Sequence, residues 1–187
     1  MHIRDIRTEE HALLGQMMVE VYSQLDGFPK PFEQPAYYDM LANIGAFTSV
    51  PRCRVLVAMT PAEELLGGVV YFGDMRSYGS GGTATQEVNA SGIRLLGVHP
   101  NARGRGVGRQ LSLKCIELAQ EQKHQNVVLH TTEPMRAAWA LYTHLGFARA
   151  PDLDFMQGAL PVFGFRLALE RTADRQQATA RTYLKTS

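Results

Sequence analysis

The 187-residue chain has little of what would mark several common classes of protein. Its two cysteines, Cys53 and Cys115, form neither a metal-ligand spacing nor a disulfide framework, so a reduced, cytoplasmic setting is the expectation. Charge of one sign is missing too: 19 Lys plus Arg against 18 Asp plus Glu leaves no electrostatic footprint for nucleic acid or an anionic membrane. No apolar run approaches the ~20 residues that span a bilayer, and residues 1–20 lack the basic segment, apolar run and small-residue site of a leader. Internal repeats are absent. One domain over 1–170, long enough to bury a substantial core, with a polar tail over 171–187, is the simplest organisation.

What the chain does have is concentrated in Ile93 to Arg109, IRLLGVHPNARGRGVGR. Ile93, Leu95 and Leu96 begin a strand-like apolar run, and Pro100-Asn101 turns the chain, because proline donates no ladder hydrogen bond and disfavours helix before it. Gly104, Gly106 and Gly108 then leave the backbone bare at the start of a helix, where successive N–H groups can approach an anion. Arg103, Arg105 and Arg109 surround it with cations. A P-loop is excluded, since Gly108-Arg109-Gln110 lacks the Lys-Ser/Thr pair. The dinucleotide fingerprint is disfavoured as well, because HPNAR intervenes between the strand and the glycines.

Arg103-Gly104-Arg105-Gly106-Val107-Gly108 matches Gln/Arg-x-x-Gly-x-Gly/Ala, and with the preceding strand it closely resembles the acetyl-CoA loop of the GNAT N-acetyltransferases. The resemblance implies that amides of residues 103–109 take the CoA pyrophosphate and that the strand carrying Leu96 and Val98 pairs with the pantetheine arm. Acetyl-CoA is the implied co-substrate and an amine of a small molecule or peptide the implied acceptor. A homodimer is a further implication, with Phe163–Leu169 as a strand available to its interface.

The rest of the chain agrees in order. Residues 2–7 alternate as a first strand; Thr8 is placed to cap a helix carrying Leu14, Met17, Met18, Val21 and Leu25 on one face. The loop from Asp26 to Pro31, with Phe32, Tyr37 and Tyr38 beyond, reads either as a substrate wall or as a packed connection. Residues 35–49 read as a second helix, and Cys53–Met59 and Glu64–Phe72 as adjacent antiparallel strands. Gly73 to Ser91 is so rich in Gly, Ser and Thr that it is expected to stay out of the core as a mobile loop, either a lid or an idle extension. A major helix over 106–123, a strand over 126–130, a helix with Pro134 in its first turn and Gly146 after its end, and strands over 147–150 and 163–169 complete the pattern. The fold class is therefore α/β: a GNAT-like mixed sheet of about seven strands with about four helices on its faces, splayed between the fourth and fifth strands.

Acetyl transfer by direct attack needs a neutral amine, a stabilised thioester oxygen and a protonated thiolate. At pH 7 a lysine-like amine is neutral on the order of one part in a thousand, so a base matters. Tyr142, in Ala140-Leu141-Tyr142-Thr143-His144-Leu145-Gly146-Phe147, matches the family segment whose tyrosine points at the CoA sulfur, and is the implied acid. Amides of Leu96 or Val98, freed by a bulge near Gly97, are the candidate oxyanion donors. Many members carry Glu immediately before Ile-Arg of the fourth strand; here Gly92 precedes Ile93-Arg94. Counting twelve residues back from Tyr142, where other members place an acid, reaches His130, whose imidazole suits a base. Glu87, Asp74, Glu33 and water compete for that role, while His99 belongs to the strand end. Met135 stands where the family has Asn at the start of the following helix. The missing Glu also leaves open an acyl-CoA-binding module without catalysis, and a third reading is an enzyme acting on protein N-termini or lysines.

Overall fold

The structure is a computed structural model that describes residues 1–169, and the polar tail expected over 171–187 lies outside the described residues. Strand β1 (His2–Asp5) leads through a 3-10 turn into helix α1 (His11–Ser23), then α2 (Pro35–Ala42), β2 (Cys53–Met59) and β3 (Leu65–Phe72). Next come β4 (Ala90–Val98), α3 (Val107–Glu121), β5 (Asn126–Thr132), α4 (Arg136–His144), β6 (Ala148–Arg149), β7 (Phe155–Gln157) and β8 (Leu160–Ala168). The strands form one sheet in the order β1-β2-β3-β4-β5-β8-β6, with β7 on β8, antiparallel except for the β4–β5 pair. This is the expected mixed sheet with four helices, with one strand more than seven.

Period-two alternation sorts the apolar residues onto the two faces. Leu14, Met18 and Leu41 pack with Val57, Val70 and Phe72 on the face covered by α1 and α2. Leu111 and Cys115 pack with Leu56, Val69, Ile93 and Leu129 under α3. Each fully buried leucine contributes roughly 1.5–3 kcal/mol of hydrophobic stabilisation. Cys53 and Cys115 are both free and both buried.

Several local expectations are corrected. Thr8 does not cap; it sits in a 3-10 turn, and the Glu10 carboxylate accepts the Arg7 N–H at 2.8 Å instead. The helix expected over 35–49 ends at Ala42, where the Asn43 backbone leaves the helical region, and resumes as a 3-10 segment over Ile44–Ser49. Pro134 lies two residues ahead of α4 rather than in its first turn. Strand β7 escaped notice because three residues carry no readable period. The 73–91 segment does fill core: Met75, Tyr78 and Ala84 are buried, two short 3-10 turns shape it, and β4 already begins at Ala90. Its three apolar anchors outweigh the polar composition, and Phe155 of β7 packs directly over Gly81 and Gly82. Phe163–Leu169 is no free interface strand, since β8 has β5 on one side and β6 and β7 on the other. Among the described residues no helix is long and apolar enough to cross a membrane.

Two features position the site. β4 pairs with β3 along most of its length but with β5 only from Ala90↔Asn126 to Ile93↔Leu129, beyond which the two parallel strands part. In the same region the β3–β4 register slips between Gly68 and Val70, so Leu95 and Leu96 together oppose Val69, with Leu95 at φ +54°. The bulge expected near Gly97 is thus present, centred on the neighbouring Leu95–Leu96. Gly97 has a different reason to lack a side chain: a Cβ there would fall 2.4 Å from Met18 Sδ of α1.

Candidate functional site

The gap between β4 and β5 opens toward the loop that precedes α3. From Gly104 to Arg109 no backbone N–H bonds to another backbone group among the described residues; the first helical bond in this region runs from Gln110 N to Gly106 O at 3.0 Å. Gly104 and Gly106 adopt φ +74° and +77°, the left-handed region that glycine enters without strain. Nothing lies within 4 Å of a Cβ built on either, so these glycines serve conformation and open access rather than packing. Arg103, Arg105 and Arg109 are exposed around the loop, whereas the Val107 side chain is buried, so Val107 offers the loop only its amide. Six amides without a backbone partner, three just before and three opening the 15-residue helix, make an arrangement able to take a polyanion.

Strand geometry directs further amides into the gap. His99 N donates to Leu66 O of β3 at 2.9 Å, so the Val98 N–H, one residue earlier, points away from β3 and into the gap. The Leu96 carbonyl is likewise turned from β3 and accepts the Tyr22 hydroxyl at 3.2 Å. Deeper in β5, the hydroxyls of Thr131 and Thr132 are sealed from solvent with no partner among the described residues.

Tyrosines from both faces converge on the gap. Tyr142 of α4 is buried with its ring against Phe147, 5.7 Å between centroids, and makes no hydrogen bond among the described residues. Burial pushes its phenol well above the ordinary value, with Tyr78 adding in the same direction, so it holds its proton at neutral pH. Tyr22 is raised by burial in the same way, and Tyr37 is held at about 12.

His130 stands on the α1–α2 face, half-buried, with both ring nitrogens engaged. Nε2 lies 2.9 Å from the Leu153 carbonyl, which only accepts, so Nε2 carries the proton and Nδ1 is the acceptor. The Tyr78 hydroxyl donates to Nδ1 at 3.0 Å and also lies 3.4 Å from the Ile93 carbonyl, at the apex where the β4–β5 ladder ends. Burial lowers the imidazole below its usual value, and the Leu153 carbonyl opposes that in part. The ring is therefore neutral at pH 7.

Tyr78 was missed by sequence reasoning, and it explains the absent glutamate. A Cβ on Gly92 would fall 2.3 Å from Tyr78 Cδ2, so the ring occupies the space a side chain at position 92 would need. Of the competing carboxylates, Asp74 is bound to Arg76 and held at about 2, Glu87 pairs with Arg166 at 2.8 Å, and Glu33 accepts the Lys30 N–H at 2.6 Å. None joins His130. His99 accepts the Asn101 N–H at the strand end. In the 26–38 segment both readings hold in part: Phe28 and Tyr38 are packed, whereas Phe32 is 84% exposed. Gln34 of this segment meets Gln157 of the β7–β8 hairpin at 2.6 Å, closing the α1–α2 face over His130 and Phe155. Two open cavities, about 390 Å³ beside Trp139 and 560 Å³ beside His124, are lined by none of these gap residues.

The family model described as "Acetyltransferase (GNAT) family" matches residues 18–147. A mycothiol acetyltransferase of Paenarthrobacter aurescens is 40% identical over 68 residues, which are 36% of this chain and 21% of that protein, so the match spans about a fifth of the relative's length. Among solved structures, a GNAT-family acetyltransferase from Staphylococcus aureus Mu50 superposes with TM-score 0.69 at 16% identity, over 90% of this chain and 99% of the other. The yncA protein of Salmonella typhimurium, solved with its cofactor acetyl-CoA, gives TM-score 0.61 at 21% identity over 91% and 95% of the two chains.

Proposed function

The chain belongs to the acetyltransferase (GNAT) family, and on that premise we propose that it moves an acetyl group from acetyl-CoA to a primary amine of a small molecule or peptide, by direct attack in a ternary complex. The observation that carries this reading is the meeting of a parted β4–β5 ladder with six unpaired amides over 104–109. A pyrophosphate fits that cradle: the amides of Gly104 to Arg109 donate to it, and Arg103, Arg105 and Arg109 neutralise it. Bound acetyl-CoA supplies an activated thioester.

The chain's own groups do the rest. The Val98 N–H, with Leu96 N–H beside it, donates to oxygen as negative charge develops there. Tyr142, proton retained by its buried setting, donates to the leaving thiolate. His130, neutral and with Nδ1 as its accepting nitrogen, is the base that takes the amine proton in this reading. The reading includes a cytoplasmic setting, supported by the two free cysteines.

The test is release of free thiol from acetyl-CoA by the full chain across a panel of primary amines. Amine-dependent release is the expected result. Acetyl-CoA binding with no release for any amine would favour the acyl-CoA-binding module, and absence of binding would remove the reading altogether.

A further inference from the structure

Five arginines among the described residues are half-buried: Arg4, Arg54, Arg94, Arg149 and Arg166. Four sit on carboxylates, Arg4 on Glu10 at 2.6 Å, Arg54 on Asp5 at 2.5 Å, Arg149 on Asp154 at 2.7 Å and Arg166 on Glu87 at 2.8 Å. Arg94 is the exception. It has no carboxylate within ion-pair distance among the described residues. One nitrogen donates to the Tyr78 carbonyl, and the guanidinium lies 5.5 Å over the Tyr78 ring. No nitrogen of Arg94 is both sealed and unpartnered, so each remaining donor keeps some contact with solvent.

Its position gives that charge a meaning. Arg94 follows Ile93, the last β4 residue paired with β5, and its side chain leaves the strand on the face opposite Ile93, the one that carries Tyr78, His130 and α1. The groups whose ionisation it influences are Tyr22, Tyr37, Tyr78, Cys53 and His130, all neutral at pH 7. Among the described residues, this group of side chains therefore carries one positive charge with no carboxylate against it. The polyanion cradle does not account for it. Val98, where β4 ends, is four residues away, roughly 13 Å along the strand, and the cradle lies beyond that.

We infer that Arg94 binds a carboxylate of the acceptor, so that the substrate is a small amine that also carries a carboxylate, as amino acids do. The planar fork of a guanidinium matches a carboxylate in two parallel hydrogen bonds, and half-burial strengthens the pair. Phe155, aromatic and uncharged, stands beside His130 on the same face and suits the rest of such a molecule. The inference rests on the transferase reading and sharpens it.

The experiment compares free amino acids with their carboxamides, which keep the amine and remove the charge. The acid-over-amide ratio of kcat/KM is measured for the wild type, Arg94→Gln and Arg94→Lys. Binding of the N-acetylated acids to the CoA-loaded protein is measured by calorimetry. A wild-type preference for acids of tenfold or more is expected, falling toward one in Arg94→Gln mainly through KM, with acetyl-CoA affinity unchanged. Arg94→Lys, which keeps the charge and loses the fork, should retain part of the ratio. Equal use of acids and amides, or an unchanged ratio in Arg94→Gln, overturns the inference while the transferase reading stands. So does a protein that binds acetyl-CoA but no acid, free or acetylated. Failure to bind acetyl-CoA instead sinks the transferase reading, and this one with it.

Discussion

Replacing Gly92 by alanine tests whether Tyr78 has taken the place of a side chain at that position. The added Cβ would meet Tyr78 Cδ2 at 2.3 Å, Cε2 at 2.5 Å and Met75 Sδ at 3.1 Å. Carbon atoms rest ~3.5–4.0 Å apart, so the ring would have to retreat by more than ~1 Å. It has nowhere to go: Tyr78 is 0% exposed, its ring stands 5.5 Å from that of Phe72, and its hydroxyl is held by His130. Nor can the backbone yield, because Gly92 pairs with Phe72 on one side and Val128 on the other. Overpacking of this kind costs about 1–3 kcal/mol. Relief of strand glycine entropy returns ~0.5–1 kcal/mol, leaving a net loss of about 1–2 kcal/mol. In a chain of this size that lowers Tm by roughly 2–8 °C. Tyr78→Ala alone should lose ~3–5 kcal/mol to the cavity. In the double variant the clash has gone, so the combined loss should fall short of the sum by the overpacking cost, about 1–3 kcal/mol, measured by urea unfolding. Additivity within ~0.5 kcal/mol, or a stabilised Gly92→Ala, would refute the steric account.

Other expectations can be checked separately. Gly106→Trp should fold, since the left-handed residue costs ~1–2 kcal/mol against a typical reserve of ~5–15, yet calorimetry should find acetyl-CoA binding abolished; unchanged affinity would sink the cradle. Tyr142→Phe should lower kcat by ~10²-fold or more with acetyl-CoA affinity nearly constant, and full activity would remove Tyr142 from the mechanism. His130 is depressed below its ordinary value of 6.5, so the unfolded chain binds its proton first. The stability it contributes is present above pH 6.5 and lost as pH falls below that toward the folded value. Urea midpoints from pH 7.5 to 5 should therefore decline less in His130→Gln, and the acidic limb of its pH–rate profile should flatten; an unaltered limb would point to water as the base.

The strand–loop–helix core of the site was legible because its signals are local: an apolar run, Pro100 and alternating glycines each act within a few residues. Strand Cys53–Met59 appears with the expected bounds for the same reason. Tyr78 was not legible. A single aromatic among Gly and Ser has no period, and its partners, Gly92 and His130, are 14 and 52 residues away. His130 was reached by counting from Tyr142, but which of its nitrogens accepts depends on Leu153, brought in by the β7–β8 hairpin. Arg94 was visible as a charge in an apolar strand. Its lack of a carboxylate partner among the described residues is a property of the whole packed face, which no window of sequence contains.

Burial of the two cysteines has a practical side. Burial pushes the Cys53 thiol up to about 12 and Cys115 higher still. Almost no protein thiolate exists near neutral pH, and thiolate is the form that attacks thioesters and disulfides. The folded chain should neither acylate itself from a bound thioester nor form a mixed disulfide with the released coenzyme. A colorimetric thiol reagent added to the native protein would thus count turnover against a flat baseline, and a slow rise in that baseline would time the chain's unfolding.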